Sequence, residues 1–84
     1  MRCFVYRSKK KLNTYLFLPE QDNFSGVPQS LLELFGEAEF SFDFDLVPGR
    51  QLVMAEAEEV LRNITESGFF LQLPPGNDKY LATH

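Results

Sequence analysis

One set of residues whose type could support chemistry consists of four acids at spaced positions of one segment. They are Glu37, Glu39, Asp43 and Asp45. Carboxylates can hold a divalent cation or act as a general acid and base, but alternate residues of a strand stand ~6.6 Å apart, so they converge only by bending inward or with help from another element. No Asp-x-Asp-x-Asp-Gly loop accompanies them. The pattern therefore favours a solvated acidic strand face, and we expect neither a metal nor a cofactor.

A second set of candidates is basic and lies near the N-terminus. Five of the eight Lys and Arg residues fall within the first eleven positions, whereas all twelve acids lie beyond them. The candidate interaction surface consists of the basic tip, Arg7, Lys9, Lys10 and Lys11, together with Tyr6 and Tyr15. Basic charge beside exposed aromatic rings could contact a protein or stack on the bases of a nucleic acid. The plainer alternatives are a solvated turn, or pairing with the acids within one molecule or between two.

Nucleophilic and metal-binding residue types are scarce in this chain. There is one cysteine, Cys3, and one histidine, His84. A single histidine makes a catalytic triad or a zinc site with several histidines close to impossible within one chain. Cys3 lies on a predicted strand between bulky neighbours, which favours a buried structural thiol over a nucleophile. No glycine-rich phosphate-binding string is present, so the sequence predicts a protein without catalytic residues.

Length, composition and cysteine usage bound the class of protein. The chain has 84 residues, of which 44% are hydrophobic, which suits one small folded domain. No run approaches the ~20 apolar residues that span a bilayer, and the N-terminus does not resemble a signal peptide. A lone thiol is typical of a reducing compartment. We therefore expect a cytoplasmic protein that does not contact membranes and is a monomer or a weak homodimer.

Hydrophobic periodicity predicts six elements in the order β-β-α-β-α-β, an α+β arrangement. Their expected ranges are strands at 2–7, 14–18, 37–46 and 69–73, and helices at 28–36 and 54–67. The first two strands form a hairpin and are apolar on both faces, so both faces need cover. A turn is expected over 47–50, where Pro precedes Gly.

The third predicted strand shows the clearest alternation. Its expected apolar face consists of Ala38, Phe40, Phe42, Phe44 and Leu46, and the four acids lie on the opposite face. One polar face suits a solvent-exposed position, and clustered charge also suits a strand at the edge of the sheet.

Several segments resemble the bacterial YcgL domain family. They are Cys3-Phe-Val-Tyr-Arg-Ser, Thr14-Tyr-Leu-Phe-Leu, Val27-Pro-Gln-Ser-Leu-Leu-Glu-Leu-Phe-Gly36 and Gly68-Phe-Phe-Leu-Gln-Leu-Pro-Pro75. The resemblance spans residues 3–75, and Phe-Leu-Gln-Leu-Pro-Pro is its most specific part. It implies an α/β/α sandwich around a four-stranded sheet, with a domain over 1–75 and a short polar tail over 76–84. It implies no catalytic residue.

These observations lead to two functional hypotheses. The first is a non-enzymatic accessory domain that binds an unidentified protein through the basic tip or the acidic strand face. The alternative is weak contact with RNA or another nucleic acid through the same basic tip, because a local cluster of charge can act within about a Debye length even on an acidic protein.

Overall fold

The order of helices and strands matches the sequence prediction. The computed structural model describes residues 1–47 and 57–73. The elements are β1 (Arg2–Ser8), β2 (Tyr15–Leu18), α1 (Gln29–Phe35), β3 (Ala38–Asp45), α2 (Ala57–Ser67) and β4 (Phe70–Gln72). Three predictions lie wholly or partly outside the described residues: the turn over 47–50, the start of the second helix at 54–56, and the tail over 76–84.

All four strands form one antiparallel sheet in the order β3-β1-β2-β4. The hairpin strands β1 and β2 are central, and β3 and β4 are the two edges. Helix α1 follows β2 and packs on one face of the sheet, whereas α2 follows β3 and packs on the other. The arrangement is a three-layer α+β fold, in which each face of the central hairpin is covered by a helix.

The face beneath α2 carries one of two hydrophobic clusters. It consists of Cys3, Val5, Phe17, Phe44, Leu46, Ala57, Val60 and Ile64. The α2 members recur at intervals of three and four residues, which places them on one side of the helix. The exposed side of α2 carries charged residues such as Glu59 and Glu66, so the amphipathic pattern alone orients this helix.

The face beneath α1 carries the second cluster. It is formed by Tyr6, Leu16, Leu18, Val27 and Phe35, with further partly buried aromatic and aliphatic residues packed against them. Helix α1 begins after Pro28, whose fixed φ suits a helix start, and it ends at Gly36 with φ of 78°. Both ends agree with the sequence prediction.

A β-bulge interrupts the alternation of β3, so the prediction of one continuous apolar face is wrong. The pairing with β1 shifts by one residue between Val5, which lies opposite Phe42, and Tyr6, which lies opposite Phe40. Ser41 is the extra residue. Residues directly opposite each other project from the same face of a sheet. Phe42 therefore lies on the α2 face, whereas Phe40 lies on the α1 face.

The same bulge divides the predicted acidic face. Asp43 lies opposite Phe4, and Asp45 lies opposite Arg2, which places both aspartates on the α1 face. Glu39 lies opposite Arg7 on the α2 face. Glu37 precedes the strand. The four acids therefore do not share one surface, although β3 does lie at the sheet edge as the sequence indicated.

The loop between β1 and β2, here called the tip loop (residues 9–13), is fastened to the end of α1 by Ser8. The buried Ser8 hydroxyl donates a hydrogen bond to the Phe35 carbonyl oxygen. It also accepts hydrogen bonds from the backbone N–H groups of Lys10 and Lys11, at 3.1 and 2.8 Å. One side chain thus satisfies a carbonyl at the helix end and two amides of the loop.

Two further contacts fix the tip loop. The Lys9 N–H donates to the Glu37 carbonyl oxygen at 3.0 Å, which extends the pairing of β1 with β3. The Lys10 side chain lies directly against Gly36, where an added Cβ would stand 2.9 Å from the Lys10 Cβ. Gly36 is therefore required both by its positive φ and by this close approach.

Substitution of Ser8 by alanine should lower the free energy of unfolding by about 1 to 3 kcal/mol, because one buried and two part-buried backbone groups lose their partner. Ser41→Ala is the matched control, since Ser41 is exposed and should change stability by no more than about 0.5 kcal/mol. Urea unfolding followed by circular dichroism measures both. Equal effects of the two substitutions would contradict the role assigned to Ser8.

Candidate interaction site at the tip loop

Ion pairs between β1 and β3 join most of the predicted site charges. Arg7 donates to Glu39 through Nη2, and Lys9 Nζ lies 3.2 Å from Glu37 Oε2. At the other end of the same strands, Arg2 bridges both aspartates: Nη2 is 3.4 Å from Asp43, and Nη1 is 3.1 Å from Asp45. Of the alternatives left open by the sequence, the structure shows pairing within one molecule.

These ion pairs are exposed and individually weak. The side chains of Arg7 and Glu39 are 55% and 42% exposed, and the other pairs are similarly open to solvent. Pairs of this kind contribute about 0 to 1 kcal/mol each. Arg7 and Glu39 nevertheless influence each other: the hydrogen bond and positive charge of Arg7 lower the pKa of the Glu39 carboxyl, and Glu39 raises the pKa of Arg7.

Tyr6 is a core residue, so it lacks the exposure that stacking on a ligand would require. It is only 2% exposed, and its ring contacts Phe24 and Phe40 edge to face. Its hydroxyl donates to Asp22 Oδ1 at 2.8 Å and accepts from the Asp22 N–H at 2.6 Å. Burial, followed by the Asp22 carboxylate, raises the pKa of Tyr6. Tyr15 remains half-buried on the opposite face, beside Arg7.

The tip loop keeps two lysines that make no ion pair with any described residue. These are Lys10 and Lys11, whose backbone amides are held by Ser8. Leu12 follows them and is 85% exposed. Asn13 then adopts a left-handed φ of 58°, which asparagine tolerates better than most residues. The sequence interpretation overlooked Leu12, although an apolar residue within a polar loop was a visible signal.

A groove of about 660 Å³ lies beside the tip loop. It is lined by Arg7, Lys9, Lys10, Leu12, Tyr15 and Glu39, among others. Glu39, Arg7 and Tyr15 lie opposite one another on three adjacent strands, so together they form one row across the sheet. The groove is open to solvent along one side. The groove thus combines basic side chains, one aromatic ring and an exposed leucine.

Cys3 lies in the core and is not a reactive thiol. It is fully buried beneath α2, and burial raises the pKa of the Cys3 thiol to about 12. Neither Glu39 nor Asp43 points inward beside it, since both form exposed ion pairs with arginines. Within residues 1–47 and 57–73, no cluster of three metal-ligating side chains is found. No helix among them is long and apolar enough to cross a membrane.

The fold and the site together define a small α+β domain with a helix on each face of an antiparallel sheet and a charged loop at one end of it. The chain belongs to the YcgL domain family, whose model matches residues 3–75. The resemblance found in the sequence is therefore confirmed, together with the α+β fold.

Curated relatives extend this match over almost the whole chain. A YcgL domain-containing protein of Thioalkalivibrio sulfidiphilus is 41% identical over 81 residues, covering 96% of this chain and 100% of the relative. Relatives from Vibrio vulnificus and Proteus mirabilis are 40% and 43% identical, covering 100% of this chain and 89% and 87% of their own lengths. The names of these relatives state the domain and no activity.

Alkylation should show that Cys3 is inaccessible in the native protein. A buried, protonated thiol reacts slowly because the thiolate is the nucleophile. We expect no labelling by iodoacetamide at pH 8 in buffer and complete labelling in ~6 M guanidinium chloride, where the chain is unfolded. Mass spectrometry measures both. Rapid native labelling would mean that the thiol is exposed and would reopen a nucleophilic role.

Removal of the Arg7 guanidinium by Arg7→Gln should raise the pKa of Glu39 towards its ordinary value. Because the folded pKa lies below the unfolded one, the pair contributes stability above the ordinary glutamate range and loses it as pH falls through the folded value. Arg7→Gln should therefore flatten this part of the stability profile. Side-chain carboxyl NMR measures the titration, and Arg2→Gln is the control. An unchanged Glu39 titration in Arg7→Gln would contradict the pairing.

Proposed function

We propose that this chain is a non-enzymatic protein-interaction module whose contact surface is the tip loop. The observation that carries this proposal is the exposure of Leu12 on a loop that hydrogen bonds of Ser8 attach to the end of α1. A loop that is already ordered loses less entropy on binding than a flexible one. An apolar side chain at its centre gains from being covered by a partner.

The charges beside Leu12 support a binding role. Lys10 and Lys11 carry positive charge without an ion-pair partner among the described residues, whereas Arg7 and Lys9 are paired with acids. An exposed apolar residue beside charges without ion-pair partners resembles the apolar centre and polar rim of a protein interface. Charge of one sign on an otherwise acidic molecule also guides encounter with an oppositely charged surface.

We assign no catalytic role because of the positions of the candidate groups, which are one thiol and four carboxylates. The Cys3 thiol is buried and holds its proton, and the acids that could act in catalysis are paired with arginine or lysine at the surface. A reduced, buried cysteine also supports a cytoplasmic location.

The features of the edge strand β3 favour a protein that acts as a monomer or, at most, a weak homodimer. Pairing of β3 with a second copy would require a regular exposed edge. The bulge at Ser41 and the charged residues along β3, such as Glu39 and Asp43, work against such pairing. The tip loop lies at the end of the sheet, so it can meet a different partner without involving this edge.

RNA contact through the tip loop is the second candidate, favoured by the unpaired Lys10 and Lys11. Its weakness is the loss of Tyr6 as a stacking ring, because that residue is buried. If these two lysines alone neutralise phosphates, log K should fall against log[salt] with a slope of about −2 on a duplex. Such binding would be weak, and its dependence on salt would be modest.

Capture from nuclease-treated bacterial lysate tests the protein-binding function. We expect Leu12→Asn to reduce capture of a specific partner by at least about tenfold, as loss of a central interface residue does. Leu34→Asn is the matched control, since Leu34 is a 59% exposed leucine on α1 and should leave capture unchanged. The double substitution of Lys10→Glu and Lys11→Glu should reduce capture of the partner as well.

Two outcomes would contradict the proposal. Equal loss of capture in Leu12→Asn and Leu34→Asn would mean that general surface hydrophobicity, not the tip loop, binds the partner. Capture that is found in untreated lysate but is absent from nuclease-treated lysate, together with a salt slope of about −2 for labelled RNA, would favour the nucleic-acid function instead.

A further inference from the structure

The groove beside the tip loop contains a guanidinium with unused hydrogen-bond donors. Arg7 contacts Glu39 through Nη2, and no other donor of its side chain has a partner among the described residues. An arginine side chain carries five N–H donors in a planar fork that matches a carboxylate. The remaining N–H groups of Arg7 can therefore donate hydrogen bonds to a second carboxylate without a change in the fold.

The residues around this guanidinium suit a ligand that carries an anionic group next to an apolar group. Lys9 and Lys10 add positive charge to the lining, and Glu39 is its single acid among the described residues. The Tyr15 ring lies beside Arg7 in the same row of the sheet, and Leu12 lies at the loop. A carboxylate would find donors on Arg7, and an adjacent aliphatic or aromatic group would cover Tyr15 or Leu12.

We propose that the groove binds an acidic peptide segment of the partner, with one carboxylate on Arg7 and an apolar side chain against Leu12. This inference rests on the proposed function and adds the chemical class of the partner. Charge complementarity favours this occupant, since the groove lining carries net positive charge whereas the chain as a whole carries a formal charge of −4. A single carboxylate matches Arg7, the one arginine in the described lining of the groove, whereas a continuous phosphate backbone would also meet Glu37 and Glu39.

Glu39 is the second part of this inference, because it competes with the incoming carboxylate. It already occupies one side of the Arg7 guanidinium and places a negative charge at the floor of the groove. The pair is exposed, so its loss costs the fold little. Removal of the Glu39 charge should therefore tighten the binding of an acidic peptide, while removal of a distant carboxylate should not.

The experiment uses the full chain and a fluorescent ten-residue peptide of alternating glutamate and leucine. Binding is followed by anisotropy at low salt, and a peptide with glutamine in place of glutamate is the control probe. Glu39→Gln should tighten binding about fivefold, in keeping with the size of exposed charge interactions. Asp45→Asn changes the net charge equally but lies at the other end of β3, so we expect less than about a twofold effect, because salt screens distant charges.

Loss of the cation should have the opposite effect. Arg7→Gln should weaken binding about fivefold or more, since it removes a charged hydrogen-bond donor. The combined Arg7→Gln and Glu39→Gln variant should bind no better than Arg7→Gln alone, because Glu39 acts through competition for Arg7. Circular dichroism confirms that each variant is folded.

Three results would overturn the inference. Equal tightening by Glu39→Gln and Asp45→Asn would show that net charge, and not competition for Arg7, controls peptide binding. Equal binding of the glutamine peptide would show that no carboxylate is recognised, and failure of the wild-type chain to bind the acidic peptide would exclude this occupant. In each case, lysate capture that depends on Leu12 would still support the tip loop as an interaction surface, so the two proposals fail separately.

Discussion

The hydroxyl of Ser8 is the contact on which the candidate site depends. It is the point at which the hairpin, the tip loop and the end of α1 meet, because one buried oxygen serves the Phe35 carbonyl and the amides of Lys10 and Lys11. Without it, the Phe35 carbonyl would lose its partner in a buried contact, and the two part-buried loop amides would need other partners. The fixed loop presents Leu12 to solvent, and this combination of order and exposure distinguishes the tip loop from an ordinary solvated turn.

A second constraint is the distribution of charge along the chain. Basic residues are concentrated at the N-terminus, and acids are found beyond it. The antiparallel pairing of β1 with β3 converts this separation into a line of ion pairs, from Arg2 with Asp45 at one end to Lys9 with Glu37 at the other. Each pair is weak in water, but together they pair Arg2, Arg7 and Lys9 with acids and leave Lys10 and Lys11 of the tip loop without an ion pair among the described residues. A local basic site thus persists on an acidic protein.

Much of the fold was predictable because hydrophobic periodicity and chain breakers act locally. Pro28 and Gly36 delimit α1, and apolar side chains on both sides of β1 required cover on both faces. The bulge at Ser41 was not predictable, because strict alternation in a sequence assumes regular pairing, and only the partner strand decides where an extra residue is accommodated. Strict alternation placed all the acids of β3 on one face and all its phenylalanines on the other. The bulge instead places members of each set on both faces.

The sequence by itself determined the element order, the buried state of Cys3, the scarcity of catalytic residue types and the family. Those properties depend on residue type and short-range spacing, which are readable without coordinates. Tertiary structure alone decided which basic residues remain unpaired, that Tyr6 is held by Asp22 instead of facing a ligand, and that Arg7, Glu39 and Tyr15 share a groove. These properties depend on which strands become neighbours and in what register, and such long-range pairing is not encoded in any local segment.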